Sequence, residues 1–103
     1  MNQRILQETK SGFQGLYGER FARIVLFGSQ ARGDAEAGSD IDVLVVLKGE
    51  VSPCEEIART LGLVAKISLE YDETVSCVFV SEKEFETKES PLLLNVRREA
   101  VFV

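Results

Sequence analysis

Two apolar runs constrain this chain more than any other feature. Ile24-Val25-Leu26-Phe27 and Ile41-Asp42-Val43-Leu44-Val45-Val46-Leu47 are β-branched and aliphatic, with one polar interruption between them. Such runs read as strands buried on both faces, which a small protein achieves by packing helices against a sheet. The expected class is therefore α/β (α+β): a small mixed or antiparallel sheet flanked by helices. With 103 residues, 45% of them hydrophobic, residues 1–103 suffice for one domain with a modest core.

Polar chemistry gathers where these strands end. Between them run Gly28-Ser29, ten further residues, and then Asp40-Ile41-Asp42. The two-residue spacing sends Asp40 and Asp42 to the same side of a strand. For Gly28 and Ser29 to meet them, the simplest arrangement is a pair of adjacent antiparallel strands joined by a local excursion. Two ionised carboxylates about 6 Å apart repel by roughly 2 to 3 kcal/mol at an effective dielectric near 20, so a compensating cation is expected. The candidate ligands are all oxygens, histidine is absent, and Cys54 and Cys77 stand far apart. That donor set suits Mg²⁺, with Mn²⁺ as a substitute, and not Zn²⁺.

The bend supplies the complementary half. Glycine at 28 lets backbone approach a ligand closely, and Gln30-Ala31-Arg32 is expected to open a short helix whose free N–H groups favour phosphate oxygens. Ser29 adds a hydroxyl donor and Arg32 a cation able to neutralise polyphosphate or pair with a carboxylate. Gly33 and Gly38 let the loop return toward the second strand. Asp34 and Glu36 in that loop read as solvated charges rather than further ligands.

The stretch Leu26-Phe27-Gly28-Ser29-Gln30-Ala31-Arg32-Gly33, followed by Ser39-Asp40-Ile41-Asp42-Val43-Leu44-Val45, resembles the signature of the polymerase-beta-like minimal nucleotidyltransferases. The resemblance implies that Asp40 and Asp42 bind metal ions and act in catalysis. It implies nucleotide contacts from Gly28, Ser29, Arg32 and Ser39, with Gly28 and Ser29 on the β- and γ-phosphates. The implied reaction moves a nucleoside monophosphate from an NTP, ATP by preference, to an acceptor hydroxyl. Small members of this family often act as antitoxins beside a helical toxin of the HEPN type, so a helical partner protein is the implied acceptor. Two alternatives stand beside it: a nucleotide-binding or purely protein-binding module, and the catalytic subunit of a split enzyme acting on a small molecule.

One departure bears on these alternatives. Active members of the family it resembles usually carry a third aspartate on a later strand, whereas the corresponding stretch here, Thr74-Val75-Ser76-Cys77-Val78-Phe79-Val80-Ser81, has no carboxylate. Ser76 or Val78 would align with it. The nearby acids Glu70, Asp72 and Glu73 precede the strand and read as a solvated helix end or turn.

Helices are expected from about Gln3 to Tyr17, with Phe13, Leu16 and Tyr17 on one face and Gly18 as the stop. A second should run from a capping box at Ser52-Pro53-Cys54-Glu55 to about Leu69, packing Ile57, Leu61 and Val64 on the sheet. Ser81-Glu82-Lys83-Glu84 repeats the capping pattern, and Ser90-Pro91 opens a short helix carrying Leu92, Leu93, Val96 and Ala100. Val101-Phe102-Val103 is expected to fill a gap in the core or add a short edge strand; docking on a partner and homo-oligomerisation are the alternatives. A net charge of −5, without basic runs, argues against nucleic acid as a partner. No apolar stretch has the length of a membrane span, and neither a signal segment nor a cysteine framework points away from the cytoplasm.

Overall fold

The structure, a computed structural model, describes residues 3–28, 40–87, 90–99 and 101–103. Its first helix, α1 (Gln3–Tyr17), leads through a 3-10 turn (Gly18–Arg20) into β1 (Phe21–Phe27). Then follow β2 (Ile41–Leu47), α2 (Pro53–Tyr71), β3 (Val75–Ser81), α3 (Glu82–Thr87), α4 (Pro91–Glu99) and β4 (Val101–Phe102). The four strands form one sheet in the order β3-β2-β1-β4. As expected, β1 and β2 are adjacent and antiparallel, paired from Phe21 with Leu47 to Phe27 with Asp42. β2 and β3 are parallel, as a helical crossover allows, and β4 lies antiparallel on β1. The apolar end of the chain thus covers an edge.

β2 lies in the interior of the sheet, and Val43 through Leu47 are fully buried. The strand alternation sorts the core into two layers. Ile24, Leu26, Ile41, Val43, Val45 and Leu47 pack with Ile5, Phe13 and Ile67 of α1 and α2. Val25, Leu44, Val46 and Val80 pack with Leu93 and Val96 of α4. Asp42 is two residues before Leu44, so it belongs to the α4 side of the sheet, just beyond the apolar layer.

Two helical expectations change. In α1 the buried stripe is Ile5, Thr9, Phe13 and Tyr17, one residue every four, and Leu16 falls on its flank at 44% exposure. In α2 the stripe Ile57, Leu61, Val64 meets the sheet only at one end: Val64 is half-buried against the core, whereas Ile57 is 50% and Leu61 64% exposed, and Glu56, Thr60 and Ile67 are buried. The capping box at Ser52 is also absent. Ser52 holds the N-cap position but its side chain takes no capping hydrogen bond, and Glu55 is exposed. The other two caps form, with the Ser81 hydroxyl accepting from the Glu84 N–H at 3.1 Å and the Ser90 hydroxyl accepting from the Leu93 N–H at 3.2 Å. Ala100 lies outside the described residues.

The inward face of α2 carries a buried carboxylate. Glu56, 2% exposed, accepts a hydrogen bond from the Tyr17 hydroxyl at 2.7 Å and one from Arg59 at 3.0 Å, with Arg20 at 3.6 Å on its other oxygen. Arg20 lies over the Tyr17 ring and also donates to the Glu50 carbonyl at 3.0 Å. Burial, then the bond to Glu56, pushes the Tyr17 phenol well above its ordinary range. α1 and α2 meet closely where Gly12 faces Leu63: a Cβ at residue 12 would lie 2.8 Å from a Leu63 methyl. No helix among the described residues is long and apolar enough to cross a membrane. Replacing Glu56 with alanine should leave the Tyr17 hydroxyl unpaired in the core and cost about 2 kcal/mol. A urea titration would show it as a lower midpoint at unchanged slope; an unmoved midpoint would assign the orientation of α2 to apolar packing alone.

Candidate functional site

The site is built at the edge where β1 ends and β2 begins. Phe27 pairs with Asp42, so the chain leaves β1 at Gly28 immediately beside the Asp42 carboxylate. Gly28 has φ of 76°, a left-handed conformation open to glycine at little cost. Its missing side chain matters as much. A Cβ built there would stand 2.5 Å from Asp42 Oδ2, so the carboxylate lies against bare backbone.

Asp40 and Asp42 project to the same side of β2, Asp40 exposed and Asp42 half-buried. Burial, and then the charge of Asp40, raises the Asp42 carboxyl above its usual range. The parallel register sets Ser76 of β3 opposite Asp42, and its hydroxyl donates to Asp40 Oδ2 at 3.3 Å. Of the two positions considered for a third carboxylate, Ser76 therefore stands beside the acidic pair. Val78 pairs with Leu44 and packs in the apolar layer under α4. Glu70, Asp72 and Glu73 stay at the helix end, where Asp72 closes α2 with φ of 52°.

Ser29, Arg32 and Ser39 lie outside the described residues, as do Asp34, Glu36 and the helical turn expected at Gln30-Ala31-Arg32. What is brought together is Gly28, Asp40, Asp42 and Ser76. From sequence Ser76 is only an alignment position; its bond to Asp40 spans 36 residues and follows from the β2–β3 register, for which the sequence carries no local signal. Among the described residues no cluster of three or more metal-ligating side chains occurs. Two carboxylates and a hydroxyl nevertheless form an oxygen-only donor set, and the raised Asp42 carboxyl marks a place where negative charge lacks compensation. Both suit a hard divalent cation that keeps water and shares phosphate oxygens.

A different cleft, of about 560 Å³, opens at the opposite ends of β2 and β3 beside Glu50, Glu82, Lys83 and Glu84. Three acids against one lysine make it a poor seat for a polyphosphate. For Gly28→Ala we expect a stability loss of about 1–2 kcal/mol from the positive φ and the crowded carboxylate. Part of that loss should return in the Gly28→Ala/Asp42→Ala double variant, measured as a denaturation cycle; strict additivity would mean that the two groups do not touch.

Comparison with known proteins gives this geometry a lineage. A family model described as the nucleotidyltransferase domain matches residues 5–99. Two proteins of Methanocaldococcus jannaschii, both provisionally named protein adenylyltransferases, are similar to the chain. One is 35% identical over 72 residues, spanning 70% of this chain and 72% of the relative. The other is 33% identical over 86 residues, spanning 84% and 80%. A toxin-antitoxin crystal structure with AMP-PNP shares the fold, with a TM-score of 0.67 and 19% identity over 99% of this chain and 72% of that one. A match over nearly the whole length, on a sheet that carries Gly28 and the Asp40–Asp42 pair at one rim, means that this chain belongs to the nucleotidyltransferase domain family.

Proposed function

We propose that this domain transfers AMP from ATP to a hydroxyl group of a partner protein, in the cytoplasm and in the manner of an antitoxin acting on a helical HEPN-type companion. The observation that carries the reading is the Asp40–Asp42 pair set against the bare backbone of Gly28. The names of the two archaeal relatives and the nucleotide analogue held by the toxin-antitoxin structure support it.

The chain's own contributions follow from the geometry. Asp40 and Asp42 would hold Mg²⁺, which supplies neutralisation of phosphate charge when bound. Gly28 leaves room for the Asp42 carboxylate at the turn, and Gly28, Ser29, Arg32 and Ser39 are assigned to the phosphates of the nucleotide. The acceptor oxygen forms a bond to the α-phosphorus while the bond from that phosphorus to the bridging oxygen breaks. Pyrophosphate leaves, and the hydroxyl proton passes to solvent. Positioning and charge compensation account for most of such acceleration, with little covalent work for the protein.

Ser76 supports a second reading. A hydroxyl where active relatives have a carboxylate fits a domain that binds nucleotide without efficient transfer and neutralises its partner by contact. The two readings separate when domain, ATP, Mg²⁺ and the partner are incubated together. Transfer gives the partner a nucleotide-sized mass increase that Asp42→Asn abolishes, whereas an unchanged partner mass favours contact alone. Ser76→Asp is expected to speed transfer at least tenfold, read as pyrophosphate release; no gain would remove Ser76 from the reacting centre.

The acidic pair also predicts a pH dependence. Because the folded chain raises the Asp42 carboxyl above its ordinary value, folding takes up a proton between the two values. Stability of the metal-free protein should therefore fall as pH rises through that window, with the full penalty present above it. Asp42→Asn should stabilise the metal-free protein at neutral pH by roughly 0.5 kcal/mol, the scale of a like-charge pair. Mg²⁺ should raise the melting temperature of the native protein and not of Asp42→Asn. Equal shifts in both would place the ion elsewhere.

A further inference from the structure

Among the described residues β3 is the outer strand of the sheet, and no strand pairs with its far side. The sequence Val75-Ser76-Cys77-Val78-Phe79-Val80-Ser81 has no charge and no proline, and its register with β2 runs without a bulge. Natural edge strands usually carry one of these devices against pairing with other chains. The opposite side of the sheet differs, because β4 covers part of β1.

The hydrogen bonds identify which backbone groups face out. The Ile41 N–H donates to the Thr74 carbonyl at 2.8 Å, so in the parallel ladder residues 74, 76, 78 and 80 turn toward β2 and residues 75, 77 and 79 turn away. The Val75 N–H is met by the Ser68 hydroxyl at 3.4 Å. The outward N–H and C=O groups of Cys77, which is half-buried, and of Phe79, 3% exposed, have no hydrogen-bond partner among the described residues. Beside them, a groove of about 330 Å³ runs between α2 and β3, walled by Ile57, Leu61 and Val64 and floored by Cys77 and Phe79. Ile57 and Leu61, the exposed part of that stripe, form its outer wall. The groove reaches Ser76, whose hydroxyl bonds Asp40.

We propose that β3 and this groove receive an extended segment of the partner polypeptide as a fifth strand. Resting on the transfer reading above, that segment is the one that carries the acceptor hydroxyl. A row of outward peptide groups needs another strand, because the face of a helix offers it no backbone partner. Alternate side chains of the added strand would lie on the α2 wall. Those between them would turn to the opposite face, where a residue beside Ser76 stands on the side of Asp40 and Asp42. Charge selects the partner: Asp72 and Glu73 precede β3, Glu82 follows it, and the whole chain carries −5. A basic-flanked segment is attracted there, and a second copy of this chain is repelled.

The test uses the full chain and a synthetic peptide of alternating valine and threonine between terminal lysines, with blocked ends. Amide exchange by NMR should slow at least tenfold at Cys77 and Phe79 when the peptide is added. Leu61→Ala, an exposed position whose loss leaves the core intact, should weaken peptide binding about tenfold. Unchanged exchange at these two amides would overturn the proposal, as would equal binding of an aspartate-flanked peptide. Slowing that needs no peptide and grows with protein concentration would also overturn it, naming a second copy as occupant. Calorimetric titration with ATP and Mg²⁺ reports separately on the transfer reading. Its failure beside intact peptide binding would end that reading and leave the groove's role standing.

Discussion

The Asp42 carboxylate resting on the bare backbone of Gly28 is the contact on which this small fold turns. It exists because β2 is buried on both faces along its length and emerges at one end with two acids on one side. The antiparallel partner must leave the sheet at that same point, and a side chain on the departing residue would collide with the carboxylate. Glycine at 28 therefore meets two demands together: the left-handed turn out of β1 and the space that Asp42 occupies.

Two buried layers hold that junction in place, and each is anchored by a different kind of interaction. On the α4 side the packing is aliphatic, from Val25, Leu44 and Val46 to Leu93 and Val96. On the α1 and α2 side it includes a carboxylate, Glu56, shared by a phenol and two guanidinium groups. Removing a charge from water is costly unless it is fully engaged. The engagement here links α1, the turn after it and α2 through side chains far apart in sequence. Its location beside Glu50, at the end of β2, keeps this cost away from the acidic pair at the beginning of that strand.

How much of this was legible in the sequence depends on how local each cause is. The strands could be read because continuous aliphatic runs have few alternatives, and the meeting of Gly28 with Asp42 followed once antiparallel pairing was accepted. The caps at Ser81 and Ser90 were equally local. The orientation of α2 was not, since its apolar periodicity fits a stripe through Ile57 and Leu61 as well as one through Ile67. On the inner face Glu56 is met by Tyr17 and Arg20, nearly forty residues away, partners that no window around α2 contains. Ser76 beside Asp40 is likewise a product of register across a helical crossover, invisible to any window of residues around either one.

Cys77 illustrates a practical outcome of the same packing. Burial pushes its thiol up to about 12, while Cys54 sits exposed at the first turn of α2. A thiol held protonated by burial is a poor nucleophile, so electrophiles should choose the exposed Cys54. The native chain thus provides one addressable handle for a fluorophore or spin label at the far end of α2, leaving the β3 edge chemically untouched.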